Sequence, residues 1–234
     1  MSKDPRRIIA IGGGGFDRDA NNLRLERYVM QQTGVDSPRV AFVPTASGEP
    51  DHYVASFYSA FLGLGCRPSV LTFFKRTPEL RSYLLNQDAI YVGGGNTKSM
   101  LAVWRDWGVP ELLREAWESG VVLTGVSAGA ICWFEQGLTD SFSDGLRLMV
   151  GLGFLPGSCC PHYDGEPERR PAYQKLLASE EIAPGIAIED WTAVHFIGTA
   201  RCRVVASRAG ARAYSMRSVY GSVQEVPLPV DYLT

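Results

Sequence analysis

The chain has 234 residues, of which 45% are hydrophobic and 21% charged, a composition typical of a globular protein with a sizeable core. Its 23 lysine and arginine residues nearly balance its 25 aspartate and glutamate residues, which leaves a net charge of −2. Because no long basic run and no long apolar segment occurs, we expect neither a nucleic acid nor a membrane as a partner.

The predicted elements alternate along the first half of the chain. Short apolar runs that carry hydrophobic residues on both faces predict buried strands over residues 8–11, 40–43, 70–74, 89–92 and 121–124. Amphipathic stretches predict helices over residues 19–32, 51–64 and 109–118, and a short apolar helix over 128–134. This order predicts the α/β class: a mostly parallel sheet with helices on both faces, in three layers.

The pattern changes after about residue 185. Apolar runs at residues 186–188, 193–197, 202–206 and 212–216 are separated only by short turns. Such spacing predicts antiparallel strands near the C-terminus that extend one edge of the sheet, and exposed edge strands would allow a homodimer. No repeat or linker interrupts the sequence, so we expect one domain over residues 1–234.

The cysteine pattern predicts neither disulfide bonds nor a zinc site. The count is odd and no CxxC spacing occurs among Cys66, Cys132, Cys159, Cys160 and Cys202. The first residues, MSKDPRRIIAIGGGG, lack the apolar segment of a secretory signal. We therefore expect reduced thiols, a cytoplasmic location and no metal.

Glycine-rich loops follow the predicted strands, and the loops at that edge of a parallel sheet build its site. The loop Gly12–Gly15 fails the dinucleotide fingerprint, because Asp17 stands where a third glycine is needed. The loop that starts at Gly93 fails the P-loop pattern, because Thr97 precedes its lysine. Either loop fits a close backbone crossing, or backbone N–H groups that face an anion.

The segment GVSAG, residues 125–129, fits the G-x-S-x-G pattern between a predicted strand and a predicted helix. A tight turn there requires small neighbours and exposes Ser127 at a helix N-terminus, where developing negative charge is favoured. Ser127 is therefore a candidate nucleophile. The alternative is a turn whose small residues serve packing alone.

A serine nucleophile needs a base, and the chain has three histidines. His52 opens an amphipathic helix and is expected to face solvent. His195 lies within an alternating strand-like run. His162 lies in the turn-rich segment SCCPHYDGEP, and loops of this kind concentrate functional residues, so His162 is the preferred base.

The acid that would orient the base is less well defined by the sequence pattern. Glu189 and Asp190 end a predicted strand at the same edge of the sheet, whereas Asp164 lies very close to His162 in the chain. Asp140 and Asp144 stay open as candidates. An α/β-hydrolase arrangement would instead use His195 with Asp164 or Asp190.

Four segments together resemble the peptidase E family of serine peptidases, whose relatives include aspartyl dipeptidases and cyanophycinases. They are VGGGNT at 92–97, GVSAGA at 125–130, PHYD at 161–164 and AIED at 187–190. The resemblance runs over most of the chain. It implies a fold related to class I glutamine amidotransferases and cleavage of Asp-X dipeptides without metal or cofactor.

Carried over to this chain, the resemblance places the nucleophile at Ser127, the base at His162 and the acid at Asp190, which aligns better than Glu189. It places the oxyanion N–H groups at Gly94, Gly95 and Ala128. The segments PHYD and IEDW depart from the pattern of peptidase E itself. In the segment GEPERR, either Arg169 or Arg170 is a candidate for binding the substrate's carboxylate, and the alternative is a solvated loop arginine. The alternatives are an esterase or amidase acting on non-peptide substrates, and a non-catalytic module that binds a small anion.

Overall fold

The computed structural model describes residues 5–234. Its strands are β1 (Arg7–Ile11), β2 (Arg39–Val43), β3 (Arg67–Val70), β4 (Ala89–Val92), β5 (Val122–Val126), β6 (Phe134–Phe142), β7 (Gly145–Val150), β8 (Leu155–Cys160), β9 (Gly185–Ile188), β10 (Thr192–Ile197), β11 (Ala200–Ala206), β12 (Ala213–Val219), β13 (Ser222–Pro227) and β14 (Asp231–Tyr232). Its α-helices are α1 (Arg24–Gln31), α2 (Asp51–Gly63), α3 (Leu80–Leu85), α4 (Thr97–Asp106), α5 (Val109–Glu118), α6 (Ala128–Ile131) and α7 (Arg169–Ala178).

The larger sheet has the strand order β14-β11-β10-β1-β5-β4-β2-β3 within the described chain. Strands β1, β5, β4, β2 and β3 are mutually parallel, whereas β10 runs antiparallel to both β1 and β11. The predicted α/β class and the mostly parallel order of the first five strands are therefore confirmed. The loops that leave β1, β2, β4 and β5 meet at one edge of this sheet, as expected for parallel strands.

Successive residues of each strand point to opposite faces of the larger sheet, and helices pack on both faces to give three layers. In β1, Ile9 and Ile11 pack with helices α1 and α2, whereas Ile8 and Ala10 pack on the opposite face with α4, α5 and α6. Each face is therefore covered by helices, and the buried strands carry apolar residues on both faces for this reason. The core on the second face also includes residues of the smaller sheet, such as Phe134.

The smaller sheet has the order β13-β12-β9-β8-β6-β7 among the described residues. The prediction that all four C-terminal runs extend the edge of the main sheet is wrong for two of them. Strands β10 and β11 do so, but β9 and β12 pair with each other in the smaller sheet. A bridge between Gly13 and Asp190 joins the end of β1 to the chain just after β9, and so brings the two sheets together at the site.

Several helix boundaries differ from the predicted ones. The predicted helix over residues 19–32 begins only at Arg24, because the residues before it form turns in which Arg18 and Asp19 donate backbone hydrogen bonds to Gly15. Helix α6 ends at Ile131, since β6 starts three residues later. In the described part of the chain, no helix combines the length and the hydropathy needed to cross a membrane.

Candidate active site

Ser127 occupies a sharp turn between β5 and α6. Its backbone has φ 57° and ψ −110°, a strained conformation for a residue other than glycine, and its N–H donates to Ile11 O at 3.1 Å. A Cβ on Gly129 would lie 2.3 Å from Val92 O, and a Cβ on Gly125 would lie 2.5 Å from Gly129 O. Close packing therefore requires the small neighbours of Ser127, and the Ser127 side chain stays partly exposed.

His162 follows β8 and leans over the end of β1. Its backbone has φ 52°, and its N–H donates to Gly12 O at 3.2 Å. The His162 Nδ1 lies 2.7 Å from Asp190 Oδ1. The two side chains are 16% and 30% exposed, so the pair is shielded from water on most sides.

The structure separates the two neighbouring carboxylates that the sequence leaves as alternatives. Asp190 contacts His162, whereas Glu189 points away and accepts from the N–H of Arg212 and the hydroxyl of Tyr214, each at 2.7 Å. Asp164 supports the pair indirectly, because its Oδ1 accepts from the Asp190 N–H at 2.8 Å. Of these three carboxylates, only Asp190 lies where it can orient the imidazole.

Gly13 packs directly against the His162 imidazole and the Asp190 carboxylate. A Cβ at this position would lie 1.9 Å from Asp190 Oδ1 and 2.4 Å from His162 Nδ1. Its carbonyl accepts from the Trp191 N–H at 2.8 Å, which holds the chain after Asp190 against β1. The glycine run after β1 is therefore explained by a close backbone crossing, one of the two alternatives that its sequence leaves open.

Ser127 and His162 line the same cavity, which has a volume of about 430 Å³. They also line a second cavity of about 270 Å³, on the side of α7. A third cavity of about 310 Å³ extends from His162 toward Asp190 and Trp191. A substrate that reaches Ser127 thus has space on two sides of the hydroxyl.

The loop after β4 borders the Ser127 cavity through Gly94 and Gly95. It is held by two backbone hydrogen bonds, from Gly93 N–H to Val43 O at 3.2 Å and from Asn96 N–H to Ala46 O at 2.8 Å. Gly95 has φ 133°, and a Cβ there would lie 2.3 Å from Ala46 O, so only glycine fits.

Two further backbone groups complete the surroundings of the Ser127 hydroxyl. Burial raises the pKa of the Tyr53 hydroxyl, which lines the same cavity, well above its ordinary value, and the nearby Gly94 N–H offsets part of this rise. Ala128 is the first residue of α6, and the N–H groups of a first helical turn have no partner within their own helix. Ala128 directly follows Ser127 in the chain, and a Cβ on Gly94 would lie 3.9 Å from Ser127 Oγ, so both residues lie next to the hydroxyl.

The candidate arginines differ in position. Arg169 is 1% exposed and lines the cavity on the side of α7, where its Nε donates to Glu166 Oε2 at 2.5 Å and its Nη1 to Leu138 O at 2.9 Å. Arg170 points to Glu225 instead and packs over the ring of Tyr163. The structure thus brings Arg169 to the site but not Arg170.

The other candidates from the sequence lie as follows. His52 is exposed at the start of α2 and lines the cavity of about 430 Å³. His195 is 3% exposed in β10, where its Nδ1 lies 2.8 Å from the Tyr28 hydroxyl, and burial lowers its pKa to about 4. The α/β-hydrolase arrangement with His195 as base is therefore wrong, because this imidazole packs against α1 rather than at Ser127.

Two aspartates complete this set. Asp140 lines the cavity beside α7, with its Oδ1 3.7 Å from Arg169 Nη2, whereas Asp144 pairs with Arg147 at the turn between β6 and β7. Within residues 5–234, no group of three or more His, Cys, Asp or Glu side chains is placed to hold a metal ion.

Two residues that matter at the site were not singled out from the sequence. Gly13 packs against the side chains of His162 and Asp190, where no Cβ would fit, and Arg18 lines all three cavities. Arg18 lies in the glycine-rich loop expected at this edge of the sheet, just before the predicted helix over residues 19–32, but no local pattern marked its side chain as part of the site. The failed dinucleotide pattern drew attention to the glycines after β1 without indicating what they contact.

The fold and the site define an α/β protein with a serine on a strand-to-helix turn and a histidine–carboxylate pair across the cavity. The sequence matches the model of peptidase family S51 over residues 8–203, and the chain belongs to this family of serine-type peptidases. It is 48% identical to the uncharacterized peptidase YgaJ of Bacillus subtilis (strain 168), over 97% of this chain and 99% of that one.

Two more distant proteins extend this comparison. The chain is 26% identical to peptidase E of Shewanella denitrificans, with 80% of each chain covered. A solved peptidase structure from an acI-B1 Actinobacterium superposes with a TM-score of 0.74 at 20% identity, over 96% of this chain and 94% of that one. At this low identity the structural likeness bears on the fold alone. The resemblance inferred from the four sequence segments is thus confirmed at the level of the family.

Proposed function

We propose that this peptidase hydrolyses short peptides that begin with aspartate, and that Ser127, His162 and Asp190 carry the reaction. The observation that supports this most directly is the 2.7 Å contact between His162 Nδ1 and Asp190 Oδ1 at a cavity that Ser127 also lines. A base held by a carboxylate, facing a serine on a tight turn, is the arrangement that activates a hydroxyl.

In the proposed reaction, His162 Nε2 takes the proton of Ser127 Oγ as this oxygen attacks the carbonyl carbon of the first residue. The Asp190 carboxylate stabilises the imidazolium that results. When the tetrahedral intermediate collapses, the C–N bond breaks and His162 returns the proton to the leaving amine. Water then attacks the acyl-enzyme, again with His162 as base, and releases the free acid and Ser127.

The N–H groups of Gly95 and Ala128 are the proposed donors to the oxyanion. Gly95 borders the cavity in a left-handed conformation, and Ala128 begins α6, so both are fixed by the backbone before substrate arrives. Donors that need no reorganisation contribute most to this kind of catalysis. Gly94 is a third candidate, since a Cβ at this position would lie 3.9 Å from Ser127 Oγ.

The preference for aspartate is supported by the charges around Ser127 and by the likeness to peptidase E. Arg18 lines both cavities that Ser127 lines, beside the acidic residues Asp17, Asp140 and Glu166, and its guanidinium can attract a substrate carboxylate.

Four of the five free cysteines are buried, which is consistent with the proposed cytoplasmic location.

The test is a panel of Asp-Leu, Glu-Leu, Asn-Leu and Ala-Leu, together with p-nitrophenyl acetate, assayed with the wild type and with Ser127→Ala. We expect Asp-Leu to be the best peptide substrate and S127A to lose activity by several orders of magnitude. Ester hydrolysis without cleavage of any peptide would instead support the esterase alternative. Unchanged peptide cleavage by S127A would contradict the proposal.

A further inference from the structure

The arginines that the sequence offers for a substrate carboxylate are engaged within the protein. Arg169 is 1% exposed and donates to Glu166 Oε2 and to Leu138 O. Arg170 pairs with Glu225. A guanidinium that already satisfies internal acceptors in a buried position would have to give up those bonds before binding a ligand, at a cost in affinity.

Arg18 differs from both in its exposure and in its position. It follows the glycine run after β1, and its side chain is 72% exposed. Its Nε lies 3.9 Å from Asp17 Oδ2, which is longer than a hydrogen bond. Arg18 lines both cavities that meet at Ser127 and the one that extends toward Asp190. Its side chain therefore borders the place where these spaces meet.

We infer that Arg18 binds a carboxylate of the peptide substrate beside Ser127, either that of the first side chain or the C-terminal one. This inference rests on the proposed peptidase function and names a specificity residue for it. The planar guanidinium presents paired donors that match the two oxygens of a carboxylate.

The neighbouring Asp17 is compatible with this role. Desolvation raises the pKa of its carboxyl group, so Asp17 holds its negative charge less firmly than an exposed aspartate does. The 3.9 Å separation between Asp17 Oδ2 and Arg18 Nε also leaves the guanidinium free to turn toward a second carboxylate. Asp17 thus lies beside Arg18 at a distance too long for a hydrogen bond to its Nε.

The experiment compares Arg18→Gln, Arg18→Lys and Arg18→Glu with the control Arg27→Gln. Arg27 is exposed on α1 and lines a separate cavity, so its loss removes one positive charge without touching the site. Each variant is assayed for kcat/KM on Asp-Leu, Asn-Leu, Asp-Leu-amide and Asn-Leu-amide. Because Arg18 is exposed, the variants are expected to fold, and circular dichroism checks this.

We expect R18Q to lower kcat/KM on Asp-Leu by tenfold or more, R18E to lower it further, and R27Q to leave it unchanged. If the loss is confined to the two Asp peptides, the carboxylate is that of the side chain. If it is confined to the two free acids, the carboxylate is the C-terminal one. Either pattern supports the inference.

Two results would overturn the inference without affecting the proposed function. One is an R18Q variant that cleaves Asp-Leu at the rate of the wild type. The other is an equal loss of kcat/KM on all four peptides. Asn-Leu-amide has neither a side-chain nor a C-terminal carboxylate, so binding of a carboxylate could not explain a loss on it. A wild-type enzyme that cleaves none of the four peptides, although S127A abolishes another hydrolytic activity, would contradict both proposals together.

Discussion

The neighbouring carboxylates Asp190 and Glu189 provide a matched pair of substitutions. Asp190→Asn keeps the size of the side chain but removes the charge that faces His162 Nδ1 at 2.7 Å. The amide cannot stabilise the imidazolium, and it favours the wrong tautomer of the ring when its NH₂ faces Nδ1. We therefore expect kcat to fall roughly 10²–10⁴-fold, which corresponds to about 3–5 kcal/mol in the activation free energy.

Glu189→Gln makes the same kind of change, carboxylate to amide, one residue earlier in the chain. The contacts that it alters are different ones. Glu189 accepts from the Arg212 N–H and the Tyr214 hydroxyl, so its loss affects the packing of β9 against β12. The amide oxygen can still accept one of these two bonds. We expect kcat within about threefold of the wild type and a loss of roughly 1 kcal/mol in the free energy of unfolding.

The assay is the initial rate of Asp-Leu hydrolysis for both variants, together with urea unfolding to confirm that each is folded. The reasoning is refuted if D190N retains a kcat within threefold of the wild type. It is also refuted if E189Q loses a hundredfold in kcat while D190N does not, because Glu189 would then be the acid.

Three further predictions concern buried contacts. Gly13→Ala should lower kcat at least a hundredfold while leaving the protein folded, since a Cβ 1.9 Å from Asp190 Oδ1 displaces the carboxylate; an unaffected rate would show that the pair tolerates displacement. Burial raises the pKa of the Glu26 carboxyl to about 7. The stability that the protonated carboxyl contributes is therefore fully present below about pH 4.5 and is lost as the pH rises through 7. The Glu26→Gln variant should therefore gain up to roughly 3 kcal/mol relative to the wild type over that range, measured by urea unfolding at several pH values. Burial lowers the pKa of His195 to about 4, so the stability that its neutral form contributes is lost as the pH falls from about 6.5 through 4. The free energy of unfolding of His195→Gln should therefore rise relative to that of the wild type over this range. For either Glu26 or His195, a variant whose free energy of unfolding changes with pH in parallel with the wild type would contradict the assignment.

The parts of the fold that follow regular periodicity could be predicted from the sequence. Strand β4 and helix α5 were predicted with their observed boundaries, because a buried parallel strand and an amphipathic helix each leave a clear pattern. The smaller sheet was missed because some of its strands have no such pattern, although the runs that form β9 and β12 were predicted as strands. Strand β6 reads FEQGLTDSF and β8 reads LPGSCC, with polar residues, glycine and proline where alternation would be needed.

The chemistry of the site was partly predictable for a related reason. Ser127 and His162 stand in distinctive local segments, so sequence reasoning could find both. Glu189 and Asp190 have nearly the same local context, and which of them meets His162 depends on the bridge between Gly13 and Asp190. Arg18 lies in the loop after β1, where its N–H donates to Gly15 O, and the sequence gives no local signal that its side chain lines the cavity.

The central claim is that Ser127 is the nucleophile, and the most direct measurement is the intact mass of the protein after treatment with a fluorophosphonate. We predict one adduct per chain, mapped by peptide mass spectrometry to Ser127, and no adduct on S127A. The D190N variant should react more slowly than the wild type. An adduct on a different residue, or none from an enzyme that cleaves Asp-Leu, would contradict the account.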